Sequence, residues 1–107
     1  MMRAVLKLVA DALFVRGTDH LQAGRARRAL SNLRLAARLA GSNAGYFAAA
    51  ALAAHKASDV DAAVRYCERA LEIDPQMQPV HDLLASLFLH GEHYLQVLER
   101  IHARVRP

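Results

Sequence analysis

The sequence contains no tryptophan and only one cysteine, Cys67, among its 107 residues. A single cysteine excludes an intrachain disulfide, so cysteine usage gives no sign of secretion. Runs of valine and isoleucine long enough for β-strands are absent, and no apolar run approaches the roughly 20 residues of a membrane-spanning helix. Lys7 and Asp11 interrupt the apolar stretch at the start, which argues against a signal peptide. These absences predict a single domain, residues 1–107, of a cytoplasmic protein.

Groupings of residues that carry chemistry are also missing. There is no glycine-rich phosphate loop, no Ser/His/Asp arrangement and no pair of inward carboxylates. The six histidines are scattered, and the nearest pair, His90 and His93, straddles Gly91, where we expect a turn. Cys67 has no base spaced to activate it, and we interpret it as a buried structural thiol. We therefore expect a protein that is not an enzyme and holds no cofactor or metal.

Alanine supplies much of the hydrophobic content, which is 54%. Because alanine favours helix and lets helix axes approach closely, this composition predicts an all-α fold.

The charge is unevenly distributed. Residues 1–43 hold eight Lys and Arg against two Asp, a net charge of +6, whereas residues 44–107 hold six against eight, a net charge of −2. We expect one basic end and a mildly acidic remainder.

Helix-breaking residues divide the chain into segments whose apolar residues lie three and four apart. The breakers are Gly24, the Gly41-Ser42-Asn43 cluster, Ser58-Asp59, Asp74-Pro75 with Pro79, and Gly91. They predict six helices, at about 3–23, 26–39, 44–57, 60–73, 79–90 and 93–105. Asn43 and Asp59 are suited to cap the third and fourth helices. The loops are short, so neighbouring helices should run antiparallel.

An internal repeat is the most informative pattern in the chain. Ala63 and Ala70 are followed by Pro75, and the same spacing occurs 34 residues earlier, at Ala29, Ala36 and Gly41. A weaker third copy begins at Val97. Repeats of this length are typical of stacked helical hairpins, and such stacks mostly hold other proteins.

Residues 44–75, and above all the ending from Arg69 to Pro75, resemble a tetratricopeptide repeat. The resemblance covers about residues 10–105, with repeats at about 10–43, 44–77 and 78–107 and a first helix extended by residues 2–9. It assigns three sets of equivalent positions. The small sites where two helices touch are Gly17, Ala51 and Ala85 on the first helices and Ala29, Ala63 and Val97 on the second helices. The larger residues of the second helices are Leu33, Cys67 and Ile101. The position at which the family prefers a tryptophan or another large residue is occupied by Leu13, Phe47 and His81. Repeat three departs from the pattern, since Arg104 stands where Ala36 and Ala70 stand. The resemblance implies antiparallel helical hairpins stacked as a right-handed superhelix.

The resemblance also implies a concave groove, lined by the first helix of each hairpin, in which a partner binds. The predicted peptide-binding residues are Phe14, Thr18, Leu21, Leu52, His55, Lys56, Ser86, Leu89 and His90. Phe14, Leu21, Leu52 and Leu89 form an apolar strip that suits an amphipathic or extended segment. The alternative for Leu21 and Leu52 is that they only pack one helix against another.

Some members of the tetratricopeptide family clamp a C-terminal carboxylate with Lys and Asn side chains. The matching positions here are Phe14, Thr18, Ala49, Pro79 and Leu83, which lack the charge and the amide that such a clamp needs, so we do not expect one.

A second candidate surface is basic. Arg27, Arg34 and Arg38 lie within about 40° of one another on the second helix and form one stripe. The stripe suits an acidic partner, and the alternative interpretation is a solvated convex face. No aromatic residues interleave with these arginines, so nucleic acid is not the expected partner.

We expect the C-terminal helix to carry an uncovered apolar face. The last helix carries five apolar residues that cannot all face the preceding helix, namely Leu95, Val97, Leu98, Ile101 and Val105. A second copy of the chain or a downstream domain is therefore expected to cover the rest.

The leading hypothesis for the function is a non-catalytic adaptor or chaperone-like module. Small bacterial proteins that resemble this type include chaperones of type III secretion. The alternative is the N-terminal recruiting domain of a larger enzyme, because residues 94–107 resemble the helix before the cofactor-binding strand of some bacterial methyltransferases.

Overall fold

The computed structural model describes residues 1–88 and 92–105, with only the backbone of residues 92–94. Within these ranges the regular structure is entirely α-helical, as the composition predicts. The six helices are α1 (Met2–Gln22), α2 (Ala26–Leu39), α3 (Ala44–Lys56), α4 (Val60–Ile73), α5 (Gln78–Leu87) and α6 (Glu92–Val105). The predicted number of helices is confirmed, and most ends fall within one residue of the prediction. None of these helices has the length and apolarity that a bilayer crossing requires.

Two of the helix starts are fixed by the predicted caps. The Asn43 side chain accepts a hydrogen bond from the backbone N–H of Tyr46 at 3.2 Å, and the Asp59 side chain accepts one from Ala62 at 3.1 Å. Each bond satisfies a donor that the first turn of a helix leaves without an intrahelical partner. The sequence therefore sets the starts of α3 and α4 locally, independent of tertiary packing.

The turns inside the first two hairpins share one geometry. After α1, the backbone N–H of Arg25 donates to the carbonyl of His20 at 2.8 Å, and Gly24 has a φ of 81°. After α3, 34 residues later, Asp59 donates to Ala54 at 2.8 Å and Ser58 has a φ of 63°. A left-handed residue followed by a bond back across six residues is the Schellman ending of a helix. The sequence repeat is thus also a repeat of backbone structure.

Small residues permit the close contact between the helices of each of these hairpins. Gly17 on α1 lies directly against Leu33 of α2: a Cβ atom at position 17 would be 2.6 Å from Leu33 Cγ. Ala51 of α3, the equivalent of Gly17, is completely buried, and so is Ala63 of α4, the equivalent of Ala29. Leu33 and Cys67 are buried as well, as predicted for the larger residues of the second helices. These positions set the register of α1 on α2 and of α3 on α4.

The third segment packs differently. Ala85, predicted to touch α6, is exposed, so that prediction is wrong. Instead, α6 lies against α4 and buries Val97 and Ile101, which are 2% and 3% exposed. The expected uncovered face of α6 is therefore smaller than predicted and consists mainly of Leu95 and Val105, at 59% and 40% exposure.

Ion pairs hold α6 on α4. Glu68 is buried and accepts hydrogen bonds from Arg100 at 2.9 Å and from Arg104 at 3.3 Å. Arg104 also donates to Glu72, and this bond, with the charges of both glutamates, raises the pKa of Arg104 further above its ordinary value. Position 104 of α6 thus faces two carboxylates, Glu68 and Glu72. This explains why it holds an arginine where the other two repeats have a small residue. Ala36 and Ala70, its equivalents, are fully buried.

The helices form two layers. α3 contacts both α1 and α5, α2 packs against α1 and α3, α4 packs against α3 and α5, and α6 packs on α4. The shortest extent of the molecule is 19 Å, which accommodates two helices of about 10 Å each. The seven predicted groove residues within the described part of the chain lie on α1, α3 and α5, and we call the side of these helices that points away from the core the α1–α3–α5 face.

Candidate functional site

The centre of this face is formed by α3. Leu52 is 38% exposed, and His55 and Lys56 are exposed one turn further on, at the end of the helix. The buried face of α3 is made of alanines and two aromatic residues, so Leu52 is not needed in the core. An exposed leucine beside an imidazole and a lysine gives this part of the surface an apolar point of contact and a polar border, in which Lys56 carries a positive charge.

The residues predicted on α1 are more deeply placed. Phe14 is half-buried and stacks on Tyr46 of α3, with ring centroids 4.7 Å apart and planes 23° apart. Leu21 is half-buried against the alanine cluster between the first two hairpins, which supports a packing role for this residue. The Thr18 hydroxyl donates to the carbonyl of Val15 at 2.9 Å. All three side chains are half-buried.

The end of the predicted site on α5 is only partly described. Ser86 is exposed, and its hydroxyl donates to the carbonyl of Leu83 at 2.8 Å. Its hydrogen-bond donor is therefore already used within the helix, as is that of Thr18. Leu89 and His90, predicted to complete the groove, lie outside the described residues.

Sequence reasoning missed Tyr46, which connects α1 to α3 at one edge of this face. The tyrosine hydroxyl donates to Asp11, and Lys7 donates to the same carboxylate at 3.1 Å. Asp11 and Tyr46 line a cavity of about 500 Å³ between the start of α1 and the α2–α3 turn. No sequence signal links residues 35 positions apart, because their contact depends on how the two hairpins stack.

The three arginines of the predicted acidic-partner patch are all exposed, on the opposite layer. Arg34 bridges α2 and α4: its Nε donates to the Tyr66 hydroxyl at 2.7 Å, and its guanidinium carbon lies 5.9 Å from the Tyr66 ring centroid. Arg27 lines a shallow cavity together with Asp59 and Asp61, which reduces the positive potential at that end. Arg38 is exposed in the last turn of α2, where a cation is favourable to the helix dipole. Part of the stripe thus has a structural role.

Cys67 is completely buried, as predicted. Desolvation and the neighbouring charge of Glu68 raise the pKa of its thiol from 9.0 to about 12. The thiol therefore stays protonated at neutral pH and is a poor nucleophile. Among the described residues, no group of three or more His, Cys, Asp or Glu side chains converges in a way that fits a metal ion.

Comparison with protein-family models gives no match, and comparison with curated proteins gives none either. The tetratricopeptide resemblance therefore rests on the residues and spacings of this chain.

Proposed function

We propose that the protein is a non-catalytic interaction module, an adaptor or chaperone-like protein, that binds a peptide or helical segment of a partner along the α1–α3–α5 face. In this proposal the chain is a three-repeat member of the tetratricopeptide type, and the face is its concave groove. Phe14 and Leu52 provide the apolar contacts, and His55 and Lys56 contact acidic or carbonyl groups of the bound segment.

The observation that carries the proposal is the repetition of one hairpin geometry at a 34-residue interval. The Schellman turns at Gly24 and Ser58 and the small-residue contacts at Gly17 and Ala51 have the same places in the first two hairpins. Stacked hairpins of this kind form extended surfaces that bind other chains. The contacts of α3 with both α1 and α5 support the same function, because they bring the first helices of successive segments within reach of one extended segment.

The balance of apolar and charged residues favours this face over the arginine stripe as the binding site. A few apolar anchors usually supply most of the binding energy of an interface, whereas exposed charges mainly affect the association rate. Leu52 is an exposed apolar anchor on the groove face, while Arg34 is engaged with Tyr66. We expect the stripe to contribute a long-range, salt-sensitive attraction to acidic partners.

The proposal is tested with a displayed library of random short peptides selected on the intact chain. Selected peptides are then measured against Leu52→Glu and against the triple variant Arg27→Glu, Arg34→Glu, Arg38→Glu. The first substitution places a charge at the apolar anchor and should abolish binding at every salt concentration. The triple variant should mainly slow association, and only at low salt.

Leu35→Glu is the matched control for Leu52→Glu. Leu35 is 42% exposed, close to the 38% of Leu52, but it lies on α2, outside the groove. The control should bind peptides as the unmodified chain does, and circular dichroism should show that all variants stay helical. If the triple variant loses binding while Leu52→Glu retains it, the groove is not the site and the basic face is.

A further inference from the structure

The first helix is apolar on two opposite faces. One face packs into the protein, with Ala10 and Gly17 buried and Leu6, Leu13 and Leu21 half-buried. The other carries Val5, Leu8, Ala12 and Val15, all exposed, with Leu8 at 70%. In the described part of the chain, α1 holds five of the twelve exposed large apolar side chains. A helix that is apolar on both sides is typical of one that packs on both sides.

The exposed residues have the spacing of a coiled-coil seam. Val5, Leu8, Ala12 and Val15 follow one another at intervals of three, four and three residues, and Val9 widens the same stripe. This alternation is the repeat by which one helix packs side by side with another. The stripe continues to Asp19, and Arg16 and Asp19 border its shallow groove. We call residues 5, 8, 9, 12 and 15 the outer stripe.

We infer that the outer stripe of α1 pairs with the same stripe of a second copy of this chain, with the two helices antiparallel. Each copy offers the same surface, as a two-fold interface requires. This surface lies on the side of α1 opposite α2, so pairing leaves Leu52 and the proposed groove open. The inference does not depend on the proposed function.

The antiparallel direction follows from the side chains of the stripe. When the residue numbers of facing positions add up to 20, Val5 meets Val15 of the second copy and Leu8 meets Ala12 of the second copy. Each leucine then packs against the smallest residue of the stripe, which fills space without overpacking. A parallel pair would instead place Asp19 beside Asp19 and Arg16 beside Arg16, and like charges at the same level repel.

The available area is sufficient for a weak but specific dimer. Covering the exposed parts of the outer stripe and its borders on both copies removes on the order of 1,000 Å² from water, the lower bound of specific interfaces. We therefore expect a dimer at chain concentrations of about 100 μM, with dissociation on dilution.

Sedimentation equilibrium of the full chain tests the inference. The unmodified chain should be a dimer, and Leu8→Glu should weaken association at least roughly 100-fold, because it places a carboxylate in two apolar layers. Leu95→Glu is the matched control, since Leu95 is similarly exposed but lies on α6. A monomer at about 100 μM, or a dimer that survives Leu8→Glu but not Leu95→Glu, would overturn the inference. Leu8 is exposed, so both variants should retain their helix content by circular dichroism.

Cross-linking tests the direction of the pair independently. Chains carrying Val5→Cys and chains carrying Val15→Cys are treated with a short bis-maleimide, alone and mixed. Only the mixture should give a cross-linked dimer, because identical positions in the antiparallel pair lie about 15 Å apart along the axis. Cys67 does not compete, since it is completely buried. Efficient cross-linking of Val5→Cys with itself would contradict the antiparallel arrangement.

Discussion

Gly17 and Leu33 are in contact so close that no other residue type fits at position 17 without a shift. A Cβ atom there would lie 2.6 Å from Leu33 Cγ and 2.8 Å from Cδ2. Leu33 is fully buried and has little room to give way. This one contact fixes how far apart α1 and α2 lie, and therefore the shape of the first hairpin.

We expect Gly17→Ala to lower the free energy of unfolding by about 1 kcal/mol. Overpacking a core costs about 1–3 kcal/mol, and the better helix propensity of alanine offsets about 1 kcal/mol of that cost. Urea titration followed by circular dichroism measures the difference. Gly41→Ala is the control, because a Cβ at position 41 meets nothing within 4 Å. A Gly17→Ala variant more stable than the original chain would show that the two helices separate easily.

A pair of equivalent substitutions separates the regular hairpins from the third segment. Ala51→Leu should lower stability by about 1–3 kcal/mol, because Ala51 of α3 is completely buried between helices. Ala85→Leu should be tolerated within about 0.5 kcal/mol, because Ala85 is exposed. Thermal melts of both variants make the comparison. Equal losses at the two positions would mean that α5 is packed as closely as α3.

Ser58 is the one non-glycine residue with a positive φ in the described part of the chain, at 63°. Its equivalent in the first hairpin is Gly24, which adopts this region without strain. Ser58→Gly should therefore raise the free energy of unfolding by about 0.5–1 kcal/mol, and Gly24→Ser should lower it by a similar amount. Chemical denaturation measures both. The same sign for the two substitutions would contradict the shared turn geometry.

Removing the Glu68 carboxylate should release α6 from α4. Glu68→Gln leaves Arg100 and Arg104 without the buried partner of their ion pairs, at a cost of about 1–3 kcal/mol for hydrogen bonds to a charged group. Hydrogen exchange should accelerate in α6 while α1 to α3 stay protected. Lys7→Gln is the control: the Lys7–Asp11 pair is exposed, and such pairs contribute roughly 0–1 kcal/mol. Unchanged exchange in α6 would show that Val97, Ile101 and the remaining Arg104–Glu72 pair hold the helix without Glu68.

The Cys67 thiol should make the protein sensitive to alkali. Its pKa is raised in the folded chain to about 12, so its contribution to stability is complete below pH 9 and is lost between pH 9 and about 12. Cys67→Ala should remove this part of the pH dependence, although the variant is less stable at pH 7 because a buried sulfur is lost. Denaturant titrations at a series of pH values compare the slopes. The same slope in both proteins would assign alkaline unfolding to other groups.

The helices were predictable because their signals are local. Asn43 and Asp59 mark helix starts through side-chain bonds to backbone three residues away, and Gly24 marks an ending through its own φ. Burial of Cys67 followed from the 34-residue spacing. Each of these inferences needs only neighbouring residues or a repeat interval.

The remaining features depend on how helices are placed against one another. The sequence repeat puts Ala85 at a contact site, but α6 lies on α4 and leaves Ala85 exposed. The bonds of Arg104 to Glu68 and of Tyr46 to Asp11 join residues 36 and 35 positions apart. Such pairs depend on the relative rotation of two helices, for which a single sequence carries no direct signal. The outer stripe was present in the sequence, but its exposure became clear only from the packing of α1.

The alanine-rich interior of the second hairpin has a consequence for the evolution of binding. Ala50, Ala51, Ala53 and Ala54 of α3 are completely buried and have no side-chain rotamers to rearrange. The support beneath Leu52, His55 and Lys56 is therefore stiff, so a segment bound there as proposed would meet a surface whose shape is already set. New specificity would arise by exchanging those three outward side chains, one at a time, while the helices beneath them keep their spacing.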